Sequence, residues 1–388
     1  MKILALTNLY PRPGHEGFAP FNRQQFRALG RAHDLRVIAP VPWTEAVRDL
    51  RGGTPAPREY RNGDGLWVDH PRFYFPPRVF RPSYGSFYLA SVRRAVDRAL
   101  AASRPDVLLA SWAHPDGWAA VRIGRRAGLP VVIKVVGTDL ALADHPARGR
   151  RIAEGLRGAA GVVAVSHDLA GRAVRLGADP ARVHVVPEGL DADLFRPGDR
   201  AGARARLGLP VEGRVLLFVG NLLFSKGTKV LLEACRLLAD RGLEFHCYLV
   251  GRGRDGEALR AEVGRLGVGR LVTLAGARPH AELPDWYRAS DLVVLPSFSE
   301  GLPNVLREAV ACGRPFVATR VGGVPEIAHP SYARLVPPRS AGALADAVDE
   351  LLAVAPAAGA AAEGVRQASC EESARLLAER LLAVAATA

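Results

Sequence analysis

Short runs of Val, Ile and Leu alternate with amphipathic helical stretches along most of the 388-residue chain. The runs are apolar throughout, which is typical of parallel strands that helices cover on both faces. The predicted strands are 2–7, 35–40, 106–111, 130–136, 161–166, 183–187, 214–220, 245–251, 271–276, 291–297 and 314–319. A polar segment rich in Pro and Gly, at 194–210, interrupts the series.

This order predicts an α/β protein of two doubly wound, Rossmann-like domains, with a linker near residue 200. We assign 1–200 to the first domain and 201–370 to the second. The closing helix at 371–388 could pack against either domain. Ligands of such sheets bind beyond the carboxyl ends of the strands, so the cleft between the domains is the expected site.

Charge is distributed unevenly along the chain, whose net charge is +13. Residues 1–200 carry 30 basic and 19 acidic side chains (+11), and residues 201–388 carry 22 and 20 (+2). A basic first half predicts an anionic partner, either a charged lipid surface or an acidic acceptor. No nucleic-acid-binding motif is present, so nucleic acid is not expected.

Apolar runs and cysteine spacing predict where the protein is located and whether its thiols are reduced. No apolar run approaches the ~20 residues of a membrane span, and no cleavage pattern follows the apolar start, which we interpret as a buried strand. The four cysteines form no C-x-x-C pair, which favours buried thiols in a reducing cytoplasm over a zinc site.

Three glycines, Gly251, Gly253 and Gly256, have the G-x-G-x-x-G spacing of a dinucleotide-binding turn. The turn follows the second strand of its domain, whereas the fingerprint normally follows the first, and the next strand ends without an acidic residue. Arg278 stands there, so an NADP-dependent reductase, with Arg278 on the 2′-phosphate, stays possible. The spacing alone favours a turn and a helix start near some nucleotide.

The segment 291–327 is more specific. Glu300 and Glu308 are separated by seven residues. Glu300 lies in a predicted loop, and Glu308 lies on the predicted helix that opens at Leu302–Pro303. The first amides of such a helix attract a phosphate, and a carboxylate on each side could accept hydrogen bonds from sugar hydroxyls. Lys226, one of four lysines, lies in another strand–loop–helix turn of the same domain, where its ammonium suits a diphosphate.

These motifs resemble the retaining glycosyltransferases of family 4, nucleotide-sugar-dependent enzymes of GT-B architecture with two facing Rossmann-like domains and a cleft between them. The shared elements are Glu–seven residues–Glu, V-G-N-L-x-x-x-K-G, L-V-G-x-G, V-G-G-V-P-E-I, the glycine loop at 14–18, G-T-D at 137–139 and V-V-P-E-G-L-D-A-D-L-F-R-P at 185–197. In this family the C-terminal helix returns to the first domain.

The resemblance implies a role for each matched position. Glu300 would hold hydroxyls of the donor sugar, Glu308 the ribose, and Lys226 the diphosphate. The catalytic set would be Glu300, Lys226 and His114. The donor-binding set would be Gly17, Phe18, Gly220, Asn221, Lys226, Gly227, Gly251, Gly253, Arg278, Glu300, Gly301, Leu302, Pro303, Asn304, Val305 and Glu308.

Three positions depart from the family pattern. Asn221 stands where many members have Arg, and Val136 where a His commonly precedes G-T-D. His114, after a neighbouring strand, could replace that His. Glu188 stands where Asn is usual, which we interpret as a loop variation without consequence.

The hypothesis is therefore retaining, metal-independent transfer from a UDP- or GDP-sugar to an acceptor hydroxyl. Aromatic and basic residues gathered at 70–94 favour a lipid-linked acceptor and a peripheral position on the inner membrane face. The triplet Asp191-Ala192-Asp193 resembles a metal motif of another glycosyltransferase fold, but we interpret it as a loop. A nucleotide-sugar epimerase of the same fold, or a two-domain sugar-binding protein, would also fit such a cleft.

Overall fold

The computed structural model describes residues 1–77, 83–354, 361–362 and 367–387, which form two compact units. Unit 1 comprises Met1–Gly189 with Ala368–Ala388, and unit 2 comprises Leu190–Gln367. The division therefore falls before residue 200, because Leu190 and Phe195 are buried in the hydrophobic core of unit 2.

The strands of both units are short, and the central ones are buried. Those of unit 1 are β1 (Lys2–Leu6), β2 (Asp34–Ile38), β3 (Val41–Pro42), β4 (Glu59–Arg61), β5 (Trp67–Asp69), β6 (Arg72–Phe73), β7 (Val107–Ser111), β8 (Val131–Val135), β9 (Gly161–Ala164) and β10 (Val183–Val185). Those of unit 2 are β11 (Val215–Val219), β12 (His246–Val250), β13 (Val272–Gly276), β14 (Leu292–Leu295), β15 (Phe316–Thr319) and β16 (Ala333–Val336).

Helices connect these strands. They are α1 (Pro20–Ala32), α2 (Trp43–Arg51), α3 (Tyr84–Ser103), α4 (Trp118–Ala127), α5 (Thr138–Ala141), α6 (Pro146–Gly158), α7 (His167–Arg175), α8 (Arg200–Leu207), α9 (Thr228–Asp240), α10 (Gly256–Arg265), α11 (Leu283–Ala289), α12 (Asn304–Ala311), α13 (Ala341–Val354) and α14 (Cys370–Ala386). All eleven predicted strands are present. The sequence did not predict β3 to β6, which are two or three residues long, or β16.

The strand orders are those of doubly wound sheets. Unit 1 has the order β10-β9-β8-β7-β1-β2-β5-β4, parallel except for β4 against β5, and a separate parallel pair of β3 and β6. Unit 2 has the order β13-β12-β11-β14-β15-β16, parallel throughout. The order reverses between β1 and β7 in unit 1 and between β11 and β14 in unit 2, and at such points the loops after the strands diverge to form a binding crevice.

The C-terminal helix α14 belongs to unit 1. The Ser373 hydroxyl donates to the carbonyl of Pro187 (2.7 Å) and accepts from the Gln25 amide (2.9 Å), while Leu377 and Leu381 are buried in the core of this unit. The Ser369 side chain caps the first turn by accepting from the Glu372 amide. Packing on α1 thus attaches the end of the chain to the beginning of the fold.

The segment 194–210, predicted as a linker, contains α8 and packs as part of unit 2. Asp199 caps this helix, and the buried Arg204 donates to the carbonyl of Ala289 (2.9 Å) and to Asp291 (2.8 Å). The segment is polar and rich in Arg, but the Arg204 guanidinium anchors the helix from inside. Among the described residues, no helix combines the length and apolar character needed to cross a bilayer.

Candidate active site

The loops after β11 and β14 meet at the point where the strand order of unit 2 reverses, because these two strands are paired in parallel. Lys226 ends a short 3-10 turn in the first loop, and Glu300 lies in the second. The Lys226 ammonium donates to Glu300 Oε1 at 2.7 Å. The Glu300 side chain is 9% exposed and that of Lys226 is 29% exposed, so solvent reaches the ammonium more easily than the carboxylate.

Close backbone packing holds this pair. An ideal Cβ on Gly227 would lie 1.9 Å from the carbonyl oxygen of Pro296, and one on Gly322 would lie 1.9 Å from that of Glu300. Gly227 also has φ +69°, a conformation that favours glycine. The amide of Phe298 donates to the carbonyl of Ser225 at 2.9 Å. Gly227 therefore allows the loops after β11 and β14 to touch, and its K-G sequence places the ammonium beside the acid. Gly322 allows the loop after β15 to pack against the backbone of Glu300.

The helix after Glu300 begins at Asn304, one residue beyond Pro303 and two beyond Leu302. The prediction of a start at Leu302–Pro303 is therefore wrong. Pro303 is the N-cap residue with extended ψ (111°), because a residue at this position has not yet entered the helix. The amides from Gly301 to Val305 still occupy the loop and first turn, where a helix attracts negative charge.

Glu308 is held by residues that the sequence analysis did not identify. Its Oε2 accepts from the Tyr287 hydroxyl at 2.7 Å, and its Oε1 lies 3.4 Å from His280 Nε2. The Phe195 ring packs edge-on against both His280 and Tyr287. Burial, and then the Glu308 carboxylate, raises the pKa of Tyr287 well above its ordinary value, so the hydroxyl stays protonated and donates. No short motif marks Tyr287, which lies on α11.

The glycine-rich turn at 251–256 packs closely against the backbone of the loop after β11. An ideal Cβ on Gly251 would lie 1.8 Å from the carbonyl oxygen of Gly220, and one on Gly253 would lie 2.2 Å from that of Leu222. A Cβ on Gly256 would meet only ordinary contact, at 3.8 Å. The first two glycines therefore bring the loops after β11 and β12 together, and the third is not needed for this contact.

The exposed Asn221 and Arg278 lie in the loops after β11 and β13. The Arg278 guanidinium lies 5.6 Å from the ring centre of Trp286 and donates to the carbonyl of Ala275 at 3.1 Å. The carbonyl of Asn221 accepts from the Leu223 amide at 2.8 Å, closing a tight turn. Their roles towards a nucleotide stay predictions.

In unit 1, Gly17 and Phe18 lie in the loop between β1 and α1. Residues that precede them hold this loop to Asp49 on α2. Arg12 Nε donates to the Asp49 carboxylate at 2.9 Å, and His15 Nε2 lies 3.0 Å from it. Burial alone would raise the pKa of Asp49, but hydrogen bonds from Arg12 and His15 hold it below its ordinary value. Phe18 is 42% exposed. The approach of this loop to donor phosphates stays a prediction.

His114 is buried, in a single π-turn between β7 and α4. Its ring lies beside those of Tyr84 and Trp118. Among the described residues, its Nε2 has no hydrogen-bond partner. Burial, with the charges of Arg151 and Arg148 adding to it, lowers the pKa of His114 to about 4, so the ring is neutral at pH 7. Its catalytic role stays a prediction.

The G-T-D loop is tied to this π-turn by Asp139. The buried Asp139 carboxylate accepts from the amides of Ala113 (3.0 Å), Gly137 (2.8 Å) and Val136 (3.2 Å). Burial raises the pKa of Asp139, although the hydrogen bonds from these amides act to lower it. Asp139 therefore fixes the backbone on both sides of the β7–β8 edge, where Val136 replaces the family His.

Glu188 does not follow the expectation of a loop variation without consequence. It is buried, and its carboxylate lies 3.1 Å from the ammonium of Lys134, which is also buried. Lys134 further donates to Gln25 at 2.7 Å and to Asn22 at 3.3 Å. The prediction is wrong because the acid and one of the few lysines form an ion pair inside unit 1, at long sequence separation.

The Asp191-Ala192-Asp193 triplet lies at the start of unit 2. The Asp191 carboxylate accepts from the Leu194 amide at 3.0 Å, and Asp193 is exposed. Within the described part of the chain, no group of three or more His, Cys, Asp or Glu side chains is arranged to hold a metal ion.

Comparison with known proteins identifies the class. The family model "Glycosyl transferases group 1" matches residues 213–354, and "Glycosyl transferase 4-like domain" matches residues 16–189. Over 367 residues the chain is 33% identical to "Putative teichuronic acid biosynthesis glycosyltransferase TuaC" of Bacillus subtilis, covering 90% of this chain and 88% of that protein. It is 36% identical over 314 residues to D-inositol 3-phosphate glycosyltransferase of Acidothermus cellulolyticus, covering 72% and 68%.

Solved structures agree on the fold. Sucrose-phosphate synthase from Thermosynechococcus elongatus superposes with a TM-score of 0.78 at 20% identity, covering 100% of this chain and 97% of that one. Anabaena HepE in complex with UDP and glucose superposes with a TM-score of 0.76 at 20% identity, covering 98% and 99%. The chain belongs to family 4 of the glycosyltransferases and has the GT-B fold. The predicted family, fold class and glycosyltransferase activity are confirmed.

Proposed function

We propose that this protein is a retaining, metal-independent glycosyltransferase that moves a hexosyl group from a UDP- or GDP-sugar to an acceptor hydroxyl on a lipid-linked or cell-surface polysaccharide precursor. The observation that carries the proposal is the 2.7 Å pair of Lys226 and Glu300 where the loops after β11 and β14 meet. The name of TuaC, which refers to teichuronic acid, and the UDP and glucose bound to HepE support it.

Catalysis would be mainly electrostatic. When the bond between the anomeric carbon and the diphosphate breaks, its electron pair moves to the leaving phosphate, whose negative charge increases. Lys226 and the amides at the start of α12 are oriented before the reaction, so they stabilise that charge without reorganising. Retention requires the acceptor oxygen to bond to the anomeric carbon on the face from which the diphosphate departs.

The two carboxylates would bind different parts of the donor. Glu300 accepts a hydrogen bond from the Lys226 ammonium, so it lies next to the proposed diphosphate site. Its oxygens would accept hydrogen bonds from hydroxyls of the sugar that is attached there. Glu308 lies about one turn into α12. Tyr287 holds its Oε2 at 2.7 Å, whereas Oε1, at 3.4 Å from His280 Nε2, would accept a ribose hydroxyl. Both acids thereby recognise hydroxyl groups, while the ammonium recognises phosphate.

Metal would not take part in this scheme, because the ammonium and the helix amides supply the positive charge. Asp191 is already used by the Leu194 amide. We expect full activity in excess chelator, measured after metal-free dialysis. Abolition by chelator and recovery with a divalent cation would contradict metal independence without affecting the assignment as a transferase.

A lipid-linked acceptor would bring unit 1 to an anionic membrane. Of the aromatic residues at 70–94, Phe73 and Tyr88 are buried in unit 1, Tyr74 is 58% exposed, and Phe80 lies outside the described residues. Helix α2 adds Val47 and Leu50, both exposed, beside the basic Arg48 and Arg51. Exposed apolar and basic side chains on one helix suit a lipid interface.

The membrane proposal is tested with liposomes. We expect co-sedimentation with vesicles containing anionic lipid, weaker binding at high salt, and weaker binding of Leu50→Ser. Sedimentation that does not depend on anionic lipid would contradict it.

The reaction itself is tested in two steps. A panel of nucleotide sugars is scored by thermal shift, and the donor that stabilises the protein is then used in a donor-hydrolysis assay, with the product anomer assigned by proton NMR at early times. We expect a UDP- or GDP-sugar to stabilise the protein and the released sugar to keep the donor's configuration. An inverted product would refute retention, and free epimerised sugar formed without acceptor would favour an epimerase.

A further inference from the structure

A groove of about 530 Å³ runs along the outer helices of unit 1. It lies next to His114, whose ring centre is 6.4 Å from that of Trp118 in the groove lining. It is bordered by α3, α4 and α6, and its volume is in the range of small-molecule sites. Its lining combines apolar and basic side chains with Ser86 and Glu154. The apolar ones are Leu89, Ala90, Trp118 and Ile123, and the basic ones are Arg93, Arg122, Arg126 and Arg151.

Two guanidinium groups are fixed against one aromatic ring in this groove. The Cζ atoms of Arg122 and Arg151 lie 4.4 and 4.6 Å from the ring centre of Trp118, close enough for cation–π attraction. The Trp118 indole donates to Glu154 Oε2 at 2.9 Å, and Arg122 donates to Glu154 Oε1 at 2.6 Å. The ring and Arg122 are therefore held in place by one carboxylate.

Positive charge exceeds negative charge here. Glu154 faces Arg122, and Asp97 pairs with Arg126 and lies 3.7 Å from Arg93, so two carboxylates accompany the four arginines of the groove. Among the described residues, the remaining cation, Arg151, has only the Ser86 hydroxyl at 3.3 Å for its Nη2, and its buried Nη1 has no hydrogen-bond partner. Burial, and then the charge of Arg122, lowers the pKa of Arg151, although the Glu154 carboxylate acts in the opposite direction.

The backbone makes room for this guanidinium. An ideal Cβ on Gly85 would lie 2.7 Å from Arg151 Nη1 and 3.2 Å from the Trp118 ring, so a side chain at this position of α3 would displace them. Trp118 is the first residue of α4, which follows β7, so it lies near the edge of the sheet at which ligands of such folds bind. Arg151 reaches the same ring from the middle of α6. The guanidinium is thus oriented before any ligand arrives.

We propose that this groove binds a phosphate ester that carries an apolar chain, with the phosphate on Arg151 and Arg122 and the chain along Leu89, Ala90 and Ile123. A guanidinium that is planar, stacked and not paired with an acid is suited to a phosphate anion. The proposal deepens the proposed function, since a lipid-linked acceptor belongs to this chemical class. Binding to the groove does not require transfer, so the two can fail separately.

The test measures binding of octyl phosphate below its micellar concentration to the full chain, by calorimetry and by tryptophan emission. Arg122→Gln and Arg151→Gln are the groove variants. Arg94→Gln, an exposed arginine on α3 that does not line the groove, is the matched control. We expect each groove variant to weaken binding by about tenfold, the loss of one charged hydrogen bond, and the control to change it less than about twofold.

Tryptophan emission tests whether the ligand binds next to Trp118. Octyl phosphate should change the emission of the parent protein, and Trp118→Phe should bind but lose that change. Equal weakening by Arg94→Gln would overturn the proposal, because it would indicate general charge attraction. Failure of the parent to bind octyl phosphate would also overturn it.

Inorganic phosphate and vesicles with anionic lipid distinguish a phosphate ester with an apolar chain from free phosphate and from a membrane surface. Inorganic phosphate binding as tightly as octyl phosphate would contradict a role for the apolar chain. Binding only to vesicles with anionic lipid, with no dependence on Arg122 or Arg151, would assign the interaction to a membrane surface and overturn a groove site. Melting temperatures of all variants within a few degrees of the parent keep these comparisons valid.

Discussion

Replacing Lys226 by Ala removes the side chain that joins the two loops of the candidate site by charge. Two costs follow. The ion pair at 2.7 Å has a carboxylate 9% exposed and an ammonium 29% exposed, so its loss destabilises unit 2 by ~1–2 kcal/mol, more than a surface pair and less than a fully buried one. The larger cost is to the transition state, where the leaving diphosphate loses a donor worth ~3 kcal/mol, or about a hundredfold in kcat.

The assay is steady-state transfer or donor hydrolysis with the donor that the nucleotide-sugar panel selects, together with thermal unfolding. We expect kcat of Lys226→Ala to fall about a hundredfold while the melting temperature falls by only a few degrees. Lys226→Arg, which keeps the charge, should recover part of the rate. The rate effect then cannot be attributed to unfolding.

Lys229→Ala is the matched control. Lys229 lies three residues further on, at the start of α9, and its ammonium is 4.2 Å from the Phe224 ring centre. The Lys229→Ala substitution removes the same charge from the same part of the chain and should leave kcat within about twofold of the parent. A Lys226→Ala enzyme that turns over donor at the parent rate would contradict a role of Lys226 in stabilising the leaving group, and so would an equal loss in Lys229→Ala.

Three further predictions concern buried groups. Tyr287→Phe removes the 2.7 Å bond to Glu308, and we expect the donor KM to rise about fivefold to tenfold with little change in kcat. Asp116 is buried in the π-turn between β7 and α4, where it accepts from the Asn8 amide at 3.0 Å. Burial raises its pKa to about 8, above its unfolded value, so the parent should lose stability relative to Asp116→Asn as pH rises from 4 to 8, by at most ~1.4 kcal/mol per pH unit in urea unfolding. Lys134→Met leaves the buried Glu188 without its ammonium and should cost ~3 kcal/mol in urea unfolding, whereas adding Glu188→Gln should recover much of it.

Each of these has an outcome that contradicts it. Tyr332→Phe removes another buried hydroxyl bond of unit 2, to the carbonyl of Ile327 at 2.8 Å, and a similar rise in donor KM there would deny Tyr287 its specific role. A stability difference for Asp116→Asn that does not vary with pH would mean that Asp116 is not the group that titrates. Lack of recovery in the Lys134 and Glu188 double variant would mean that these two residues do not interact energetically.

The fold could be predicted because continuous apolar runs define parallel strands, and because the order of two parallel sheets determines which loops are neighbours. Lys226 and Glu300 are 74 residues apart, yet both follow strands at the switch point of unit 2, so topology alone brings them near one another. The glycines of their loops could also be recognised, since close backbone contact requires them.

Other features depend on tertiary contacts that no local pattern encodes. Tyr287 reaches Glu308 from a different helix, and Lys134 reaches Glu188 across the sheet of unit 1. Arg204 appears as a polar helix residue in the sequence, but it is buried because carbonyl groups and Asp291 surround it. A sequence shows that these residues can be charged or polar, while only the packing shows which partners satisfy them.

The proposed function requires that a diphosphate binds at the start of α12 beside Lys226. It is tested most directly by calorimetry of the matching nucleoside, nucleoside monophosphate and nucleoside diphosphate, with the parent and with Lys226→Ala. We expect the diphosphate to bind the parent at least about tenfold more tightly than the monophosphate, and Lys226→Ala to remove most of this difference. Equal affinities of the monophosphate and diphosphate for the parent, or a difference that survives in Lys226→Ala, would contradict it.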